Sequence, residues 1–472
     1  MGILNFHKWI KDNYKSSFKK KWLDAYDHVY IDINFSLHRC TYGAKNINDI
    51  YRRLFCFIDD VLQTTLPRKS ITISADGPAP LSKLLLQRKR RLMKSRNDDG
   101  DKVSSIMFTP GTFFMNELKE KLDPYIKFTQ KIYNIKIFVD IETYDEAELK
   151  LKKKMMDNIK LYPEDSHIIV TNDSDVVVML MTLDDMSHVY MFEKSFQNSE
   201  IISIGQLIVD HIENVGCSMN PNLDFSAVNM FMGNDYLPKV NYATFEKIWC
   251  VYKDILKCDR DGLILNKNLE INPQFVQKLM LGIIKKTHHQ YVSKINICNI
   301  FNSVYESYMD GYTWCLHTYF TGICKRYNFM YGFQDSPHPF GIAINIQKNP
   351  SLLTLKTDLF PPIDNALYAI LALPYKSKDF IDAKYHKFIK KVPILYEEEK
   401  CLKCIEFHEK LGSLNEEIKL FTEDDEEKTQ KLRGNIAKEL DMLSLHKKSH
   451  DCLTFDDIDE IINKFNKFKV TL

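Results

Sequence analysis

The stretch "IIVTNDSDVVVML" (residues 168–180) is almost wholly apolar, yet Asp173 and Asp175 lie at its centre. Its first half has the apolar, β-branched composition of a buried strand. Burying an unpaired carboxylate is costly unless its pKa shifts or a cation compensates its charge. The stretch therefore predicts a buried strand that ends at two carboxylates, whose charge is compensated by a pKa shift or by a cation.

Similar apolar runs recur through the first 240 residues, and segments with helical periodicity separate them. The predicted strands are residues 28–37, 70–76, 135–141, 166–173 and 187–192. The predicted helices between them are residues 47–64, 81–96 and 112–131. Alternating strands and helices are typical of a mostly parallel α/β sheet.

The composition changes after about residue 245. Residues 244–256, 273–286 and 300–323 have helical patterns, and residues 325–365, rich in Pro, Gly and aromatic residues, predict a structured loop region. Residues 396–445 are dense in Glu and Lys, which indicates a solvated helix pair. We therefore expect an α/β domain over residues 1–245 and a mainly helical domain over residues 246–472.

Composition narrows the class of protein. The 472 residues are 44% hydrophobic and 27% charged, which is typical of a globular protein. No apolar run has membrane-spanning length and no signal-peptide pattern is present, so we expect an intracellular protein with reduced cysteines and no membrane partner. Residues 1–100 hold 19 Lys and Arg against 10 Asp and no Glu, a net charge of +9. This excess indicates either an anionic partner such as nucleic acid or an uneven surface.

Acidic residues follow or interrupt several apolar segments. Because ligands of parallel sheets collect at the carboxyl ends of the strands, these acids are predicted to converge. Converging carboxylates need hard cations, and two Mg²⁺ ions about 4 Å apart would clamp a phosphodiester. Taken singly, each acid is better explained as a turn former or a helix N-cap than as a functional residue, and only the seven together favour a site. The predicted acid cluster consists of Asp32, Asp76, Glu146, Glu148, Asp173, Asp175 and Asp235.

Glu146 and Glu148 are two residues apart, so a regular helix would point them to opposite sides. Both reach one site only on a strand or in the first turn of a helix.

The predicted helix over residues 81–96 is basic. Its apolar stripe is separate from a face that carries three cations and an amide at helical spacing, which suits a phosphate group. The alternatives are a solvated basic face or a nuclear-localisation-like run. This basic face consists of Lys83, Gln87, Arg90 and Arg91.

Several ordered motifs resemble the Xrn 5′→3′ exoribonuclease family over most of residues 1–376. In the first half they are "MGILNFHKWI", "VYIDINFSLHRC", "ADGPAPLSKLLLQRKRR", "FTPGTFFMNEL", "TNDSDVVVML" and "MGNDYLPKV". In the second half they are "YMDGYTWCLHTYFTGI" and "LFPPIDNALYAILAL". The resemblance implies a PIN/flap-nuclease-like catalytic domain, followed by a helical domain that completes an RNA channel.

The resemblance also implies roles for residues. The family's metal-binding acids fall on the acid cluster, and its 5′-monophosphate pocket falls on the basic face. His38 matches a histidine near the terminal nucleotide, while Tyr327 and Phe329 replace two tryptophans, one of which stacks on the first base. "YDEAELKLK" (144–152) keeps both glutamates but lacks the two glycines and the histidine of the family pattern.

The expected function is metal-dependent 5′→3′ hydrolysis of decapped, 5′-monophosphorylated single-stranded RNA to mononucleotides, as in mRNA decay. The expected cofactors are two Mg²⁺ ions, with Mn²⁺ able to substitute. Two alternatives stay open: a structure-specific flap-type DNA nuclease, and a catalytically impaired RNA-binding homologue. The chain is shorter than typical members, which suggests a viral or parasite homologue located in the cytoplasm, of the host cell if viral, or in the nucleus.

"CLKCIEFH" (401–408) spaces Cys401, Cys404 and His408 as a zinc site can. The charged amphipathic context and the unidentified fourth ligand favour structural thiols, so no zinc site is predicted.

Overall fold

The computed structural model describes residues 2–96, 103–194, 199–287, 302–333, 336–396, 401–419, 426–447 and 455–471. The chain forms two compact units. Unit 1 contains the described residues within Met1–Leu86, Lys102–Phe108 and Met115–Pro362, and unit 2 contains those within Gln87–Asp101, Thr109–Phe114 and Ile363–Leu472. The predicted boundary at residue 245 falls inside unit 1; as a division between functional domains it stays a prediction.

The described part of unit 1 contains a seven-stranded sheet in the order β1-β7-β6-β5-β2-β3-β4. Strands β6, β5, β2, β3 and β4 run parallel, and β7 pairs antiparallel with β6 and β1. The strands are β1 (Phe18–Lys19), β2 (His28–Asp32), β3 (Ser70–Ser74), β4 (Lys136–Asp140), β5 (His167–Val170), β6 (Val189–Lys194) and β7 (Ser199–Ser203).

The mostly parallel sheet and its five predicted strands are confirmed, but the strand predicted over residues 28–37 ends at Asp32, and residues 34–37 belong to the helix Asn34–Cys40. Every residue of β2, β3 and β5 is buried, as expected where helices cover both faces of a parallel sheet. The sequence did not predict β1 or β7. Strand β1 is two residues long and β7 begins with exposed Ser199 and half-buried Glu200, so neither has a clear apolar run.

Helices flank the sheet strands along unit 1, and two of them, α4 and α5, include residues of both units. The helices up to residue 348 are α1 (Phe6–Asn13), α2 (Asn34–Cys40), α3 (Ile47–Thr65), α4 (Leu81–Arg96), α5 (Phe113–Tyr133), α6 (Ala147–Leu161), α7 (Asp175–Leu180), α8 (Ile204–Val215), α9 (Pro221–Met230), α10 (Phe245–Leu256), α11 (Pro273–Lys285), α12 (Asn302–Thr321) and α13 (Pro339–Lys348).

The interpretation of residues 325–365 as loop is wrong in part, because the segment contains α13. Pro339 occupies the first turn of this helix, where a missing backbone N–H costs nothing. The His338 side chain accepts a hydrogen bond from the Phe340 N–H and completes the start. Dense Pro, Gly and aromatic residues around the helix obscured its periodicity in the sequence.

Unit 2 is mainly helical in its described residues after residue 362. Its helices there are α14 (Asn365–Ala372), α15 (His386–Ile389), α16 (Leu402–Lys419), α17 (Glu426–Lys447) and α18 (Phe455–Lys469). Helices α16 and α17 confirm the predicted charged helix pair. Among the described helices of both units, none is long and apolar enough to cross a membrane.

Candidate active site

The carboxyl ends of three neighbouring strands present acids of the predicted cluster. Asp32 is the last residue of β2, Asp76 follows β3 by two residues, and Asp173 follows β5 by three. Strands β5, β2 and β3 are adjacent and parallel, so these three ends meet at one edge of the sheet. The sheet topology thus places the acids where sequence reasoning expected them.

Burial and mutual repulsion raise the pKa of several acids in the cluster. Burial, followed by repulsion from Asp76 and Asp173, raises the pKa of Asp32 to about 8. Asp32 is 3% exposed. Burial also raises the pKa of Glu148 well above its usual value, with Asp32, Asp76, Asp173 and Glu146 adding to the rise. The site therefore contains more carboxylates than nearby positive charge can compensate.

Both glutamates reach the site because they start a helix. Glu146 is the N-cap residue of α6 and Glu148 lies in its first turn. The Ala147 N–H between them donates to Asp76 Oδ1 at 3.0 Å, so Asp76 satisfies a free donor of this helix end. Although the local motif departs from the family pattern, both carboxylates lie close enough to Asp76 to be repelled by it.

The two aspartates of the opening stretch occupy a tight turn. The Asp175 N–H donates to Asp173 Oδ1 at 3.2 Å, and α7 begins at Asp175. Burial, followed by repulsion from Asp173, raises the pKa of Asp175 to about 8. Asp173 and Asp175 line one pocket together with Glu146, Glu148 and Asp235.

The N-terminal segment contacts the site, and sequence reasoning missed this contact. The Ile3 N–H donates to Asp175 Oδ1 at 2.5 Å across 172 residues. Gly2 has φ +30°, and a Cβ there would lie 2.2 Å from Asp175 Oδ1. The close approach explains why the sequence has glycine at this position. No local periodicity reveals a contact over such a separation.

Lys83 supplies a positive charge within the cluster. Its Nζ donates to Asp235 Oδ2 at 2.5 Å and to Glu146 Oε2 at 3.1 Å. Burial alone would lower the pKa of Lys83, but Glu146 and Asp235 raise it well above its usual value. The Tyr236 hydroxyl also donates to Glu146. Lys83, predicted as a phosphate ligand, thus contacts the acids.

The other members of the basic face belong to unit 2. Gln87 is 6% exposed, and its Oε1 accepts a hydrogen bond from the Tyr368 hydroxyl at 3.1 Å. Arg91 Nε donates to Thr109 Oγ1, while Arg90 is half-buried. Gln87 and Arg91 therefore help to hold unit 2 together, and a phosphate role for the face stays a prediction.

The predicted nucleotide-contacting residues have two different environments. His38 is exposed and makes an edge-to-face contact with Phe108, with 5.5 Å between ring centroids. Tyr327 and Phe329 are 7% and 4% exposed. The Tyr327 hydroxyl donates to Asp145, and Phe329 stacks on Trp314 at 4.6 Å. The predicted base-stacking role of these two rings is not supported here, because neither has a free face for a base.

The donor set of the acid cluster fits a hard divalent cation. Its ligands are carboxylate oxygens, two of its acids have a pKa raised to about 8, and Lys83 compensates part of the charge. Within the described residues, no three of these carboxylates bring oxygens within 4.8 Å of one another. A cation there would complete its shell with water, as Mg²⁺ commonly does.

The fold and the site together define the class of protein. It is an α/β domain with a cluster of carboxylates at the carboxyl ends of its parallel strands. Sequence comparison adds a match to a family model. Residues 1–194 match the model described as "XRN 5'-3' exonuclease N-terminus".

Curated proteins also match parts of the chain. The chain is 22% identical over 346 residues to 5'-3' exoribonuclease 1 of Schizosaccharomyces pombe, covering 60% of the chain and 26% of the relative. It is 28% identical over 151 residues to 5'-3' exoribonuclease 1 of Saccharomyces cerevisiae, covering 27% of the chain and 10% of the relative. It is 25% identical over 218 residues to the human 5'-3' exoribonuclease 1, covering 39% of the chain and 13% of the relative. The chain spans about a quarter or less of the length of these relatives.

Matches among solved structures have low TM-scores and include the catalytic core of Rad2 in complex with DNA substrate. The TM-score is 0.38 at 14% identity, covering 73% of this chain and 99% of that one. A bacteriophage T5 flap endonuclease in complex with DNA and metal ions has a TM-score of 0.31 at 12% identity. The match covers 55% of this chain and 88% of that one.

Proposed function

We propose that the protein is a divalent-metal-dependent nuclease that degrades RNA from its 5′ end. The observation that carries the proposal is the acid cluster, whose carboxylates meet at the carboxyl edge of the sheet and have their pKa raised by burial and then by mutual repulsion. A protein without a cation-dependent function has no evident use for this accumulated repulsion. The names of the Xrn relatives support the choice of RNA and of direction.

The acid cluster would hold the cation, Mg²⁺ in our proposal. When bound, a pair of such ions activates water and stabilises the departing oxygen of a phosphodiester. The chain's own residues position the ligands. Asp76 caps α6 and so fixes Glu146 and Glu148, and the Ile3 N–H orients Asp175. Lys83 holds Asp235 and Glu146 and places one positive charge within the acid cluster.

We propose a role in RNA binding for the part of α4 in unit 2 and, within unit 1, for His38. The cations Arg90 and Arg91 carry the charge that a 5′-monophosphate would meet. His38 is exposed on α2, six residues after Asp32. Because a monophosphate is small and doubly charged, we propose that a capped end is rejected.

The decisive experiment incubates purified protein and Mg²⁺ with RNAs of one sequence that end in 5′-monophosphate, 5′-triphosphate or a cap, and with the matching DNA. We expect mononucleotide release from the 5′-monophosphorylated RNA alone. Asp173→Ala and Asp235→Ala should bind this RNA without cutting it. Asp261→Asn, which removes an exposed carboxylate from unit 1, is the matched control and should retain full activity.

Other outcomes separate the alternatives. Preferential cleavage of branched DNA would indicate a flap-type nuclease. RNA binding without cleavage in the wild-type protein would indicate a catalytically impaired homologue. Near-normal Mg²⁺-dependent degradation by Asp173→Ala would contradict the metal assignment itself.

A further inference from the structure

A second group of potential metal ligands lies in unit 2. Cys401 directly precedes α16, Cys404 lies in its first turn, and His446 is near the end of α17. Cys401 Sγ and His446 Nε2 are 3.3 Å apart. The potential ligand atoms of all three residues lie within 4.8 Å of one another, and no other such group of three occurs in the described part of the chain.

Helix geometry brings the three residues together. Cys401 and Cys404 are three positions apart, so they share one face of α16. The Ile405 N–H donates to the Cys401 carbonyl at 3.0 Å, which keeps Cys401 in phase with the helix. The side chains of Lys410 and Glu439 form an ion pair farther along. The start of α16 therefore meets the end of α17, and the two helices run antiparallel.

We propose that Cys401, Cys404 and His446 bind a zinc ion that joins α16 to α17. Tetrahedral zinc places sulfur and nitrogen ligands about 3.6 Å apart and two sulfurs about 3.8 Å apart, from bond lengths of about 2.3 and 2.05 Å. The observed spacing needs only small side-chain movements to reach these values. Two thiolates also neutralise the charge of the ion, which suits a half-buried position.

The packing around the site explains what the ion would add. Cys404 is fully buried beside Leu411 and Leu443, and Cys401, Phe407 and Ile436 pack around them. This apolar cluster is small for two helices of 18 and 22 residues with many charged side chains. A metal bond between positions 45 residues apart restricts the unfolded chain and adds binding energy to folding.

The sequence analysis predicted no zinc site, and the histidine near the two cysteines in the structure is not the one in the local motif. His408 has the spacing for zinc, but its side chain lies outside the described part of the structure. His446 comes from another helix, and its sequence separation hides it from a motif search. The fourth position of the ion would be filled by water or by a group beyond the described side chains.

Cobalt substitution tests the site without using nuclease activity. Cobalt(II) bound by cysteine thiolates gives a sulfur-to-metal charge-transfer band, whereas carboxylates give none, so the acid cluster does not interfere. We expect the full-length reduced protein to contain one zinc per chain by elemental analysis, and to show the thiolate band after exchange with cobalt. Binding should release two protons from the two thiols.

Variants assign the ligands. Cys401→Ser should lose the thiolate band or shift it to a single-thiolate spectrum, and His446→Asn should lose tetrahedral cobalt binding. Both residues are only half-buried, so circular dichroism can verify that each variant folds. Cys258→Ser, at an exposed cysteine of unit 1, and Asp173→Ala should retain the wild-type spectrum. Absence of the band in the wild type, or an unchanged band in Cys401→Ser or in His446→Asn, would overturn the proposal.

Discussion

Lys83 neutralises part of the negative charge of the acid cluster. The Lys83 ammonium lowers the pKa of Glu146, which burial raises, and it also donates to Asp235. Among the described residues, no cation contributes to the pKa of Asp32, which burial and then repulsion raise. Glu146 and Asp235 are thus paired with Lys83, whereas the raised pKa of Asp32 favours a proton or a bound cation on this carboxyl group.

Asp175 provides a pH test of this imbalance. Its folded pKa of about 8 exceeds the unfolded value of about 3.9. The folded protein therefore holds the extra proton, and the Asp175 contribution to stability falls as pH rises from about 4 to 8. Without divalent ions, the melting temperature of Asp175→Asn should exceed that of the wild type by an amount that grows from pH 5 to pH 8. Differential scanning calorimetry in EDTA measures this difference.

The melting temperatures of the wild type and Asp175→Asn should also be compared in Mg²⁺ instead of EDTA. A bound cation takes over the compensation of Asp175, so the advantage of Asp175→Asn at pH 8 should shrink or reverse. Burial holds the pKa of His167 and His211 down to about 3, which changes stability with pH in the opposite direction. Both histidines are present in both proteins and cancel in the comparison. A pH-independent difference would contradict the raised pKa of Asp175.

At the scale of elements, the start of α6 depends on the loop before it. The Gly77 N–H donates to the Asp145 carbonyl at 2.8 Å, and the Asp145 N–H donates to the Pro78 carbonyl at 3.2 Å. These two bonds join the segment after β3 to the residue preceding Glu146. The position of both glutamates is therefore tied to the backbone around Gly77.

Gly77→Ala should disturb the site without removing any ligand. The new Cβ would lie 1.9 Å from the Thr143 carbonyl oxygen, so the backbone before α6 must move. Since a misplacement of about 1 Å can cost about 100-fold in rate, we expect kcat/KM to fall by about that factor. Gly332→Ala is the control, because its Cβ meets nothing within 4 Å. Equal nuclease kinetics in both variants would contradict this coupling.

The sequence predicted the elements better than their contacts. The apolar runs that form β2 and β5 can be recognised in the sequence because the apolar residues are neighbours along the chain. The acids at their ends followed from the rule for parallel sheets, and Asp32 and Asp173 lie as expected. The bonds of Lys83 to Glu146 and of Ile3 to Asp175 join distant residues, so periodicity contains no signal for them. Motif alignment also places Tyr327 and Phe329 without revealing their burial.

At the scale of the whole molecule, the division into units was the hardest feature to predict. The expected boundary at residue 245 followed from a change in composition. The compact units instead join residues 115–362 with residues 1–86, and they separate Gln87 from Leu86 within one helix. Composition reports the local kind of element, whereas a unit is defined by packing between elements far apart in sequence.

The net charge of +9 in residues 1–100 predicts how RNA binding responds to salt. Each phosphate contact to a single strand contributes a slope of about 0.7 in log affinity against log salt concentration. In the Asp173→Ala background, which prevents cleavage, affinity for 5′-monophosphorylated RNA should fall steeply as salt rises. Adding Arg90→Gln should reduce the slope by about 0.7, whereas adding Lys267→Gln, at an exposed lysine, should leave it unchanged. Fluorescence anisotropy titrations at several salt concentrations measure the slopes. Equal slopes for all three proteins would exclude Arg90 from the RNA contacts.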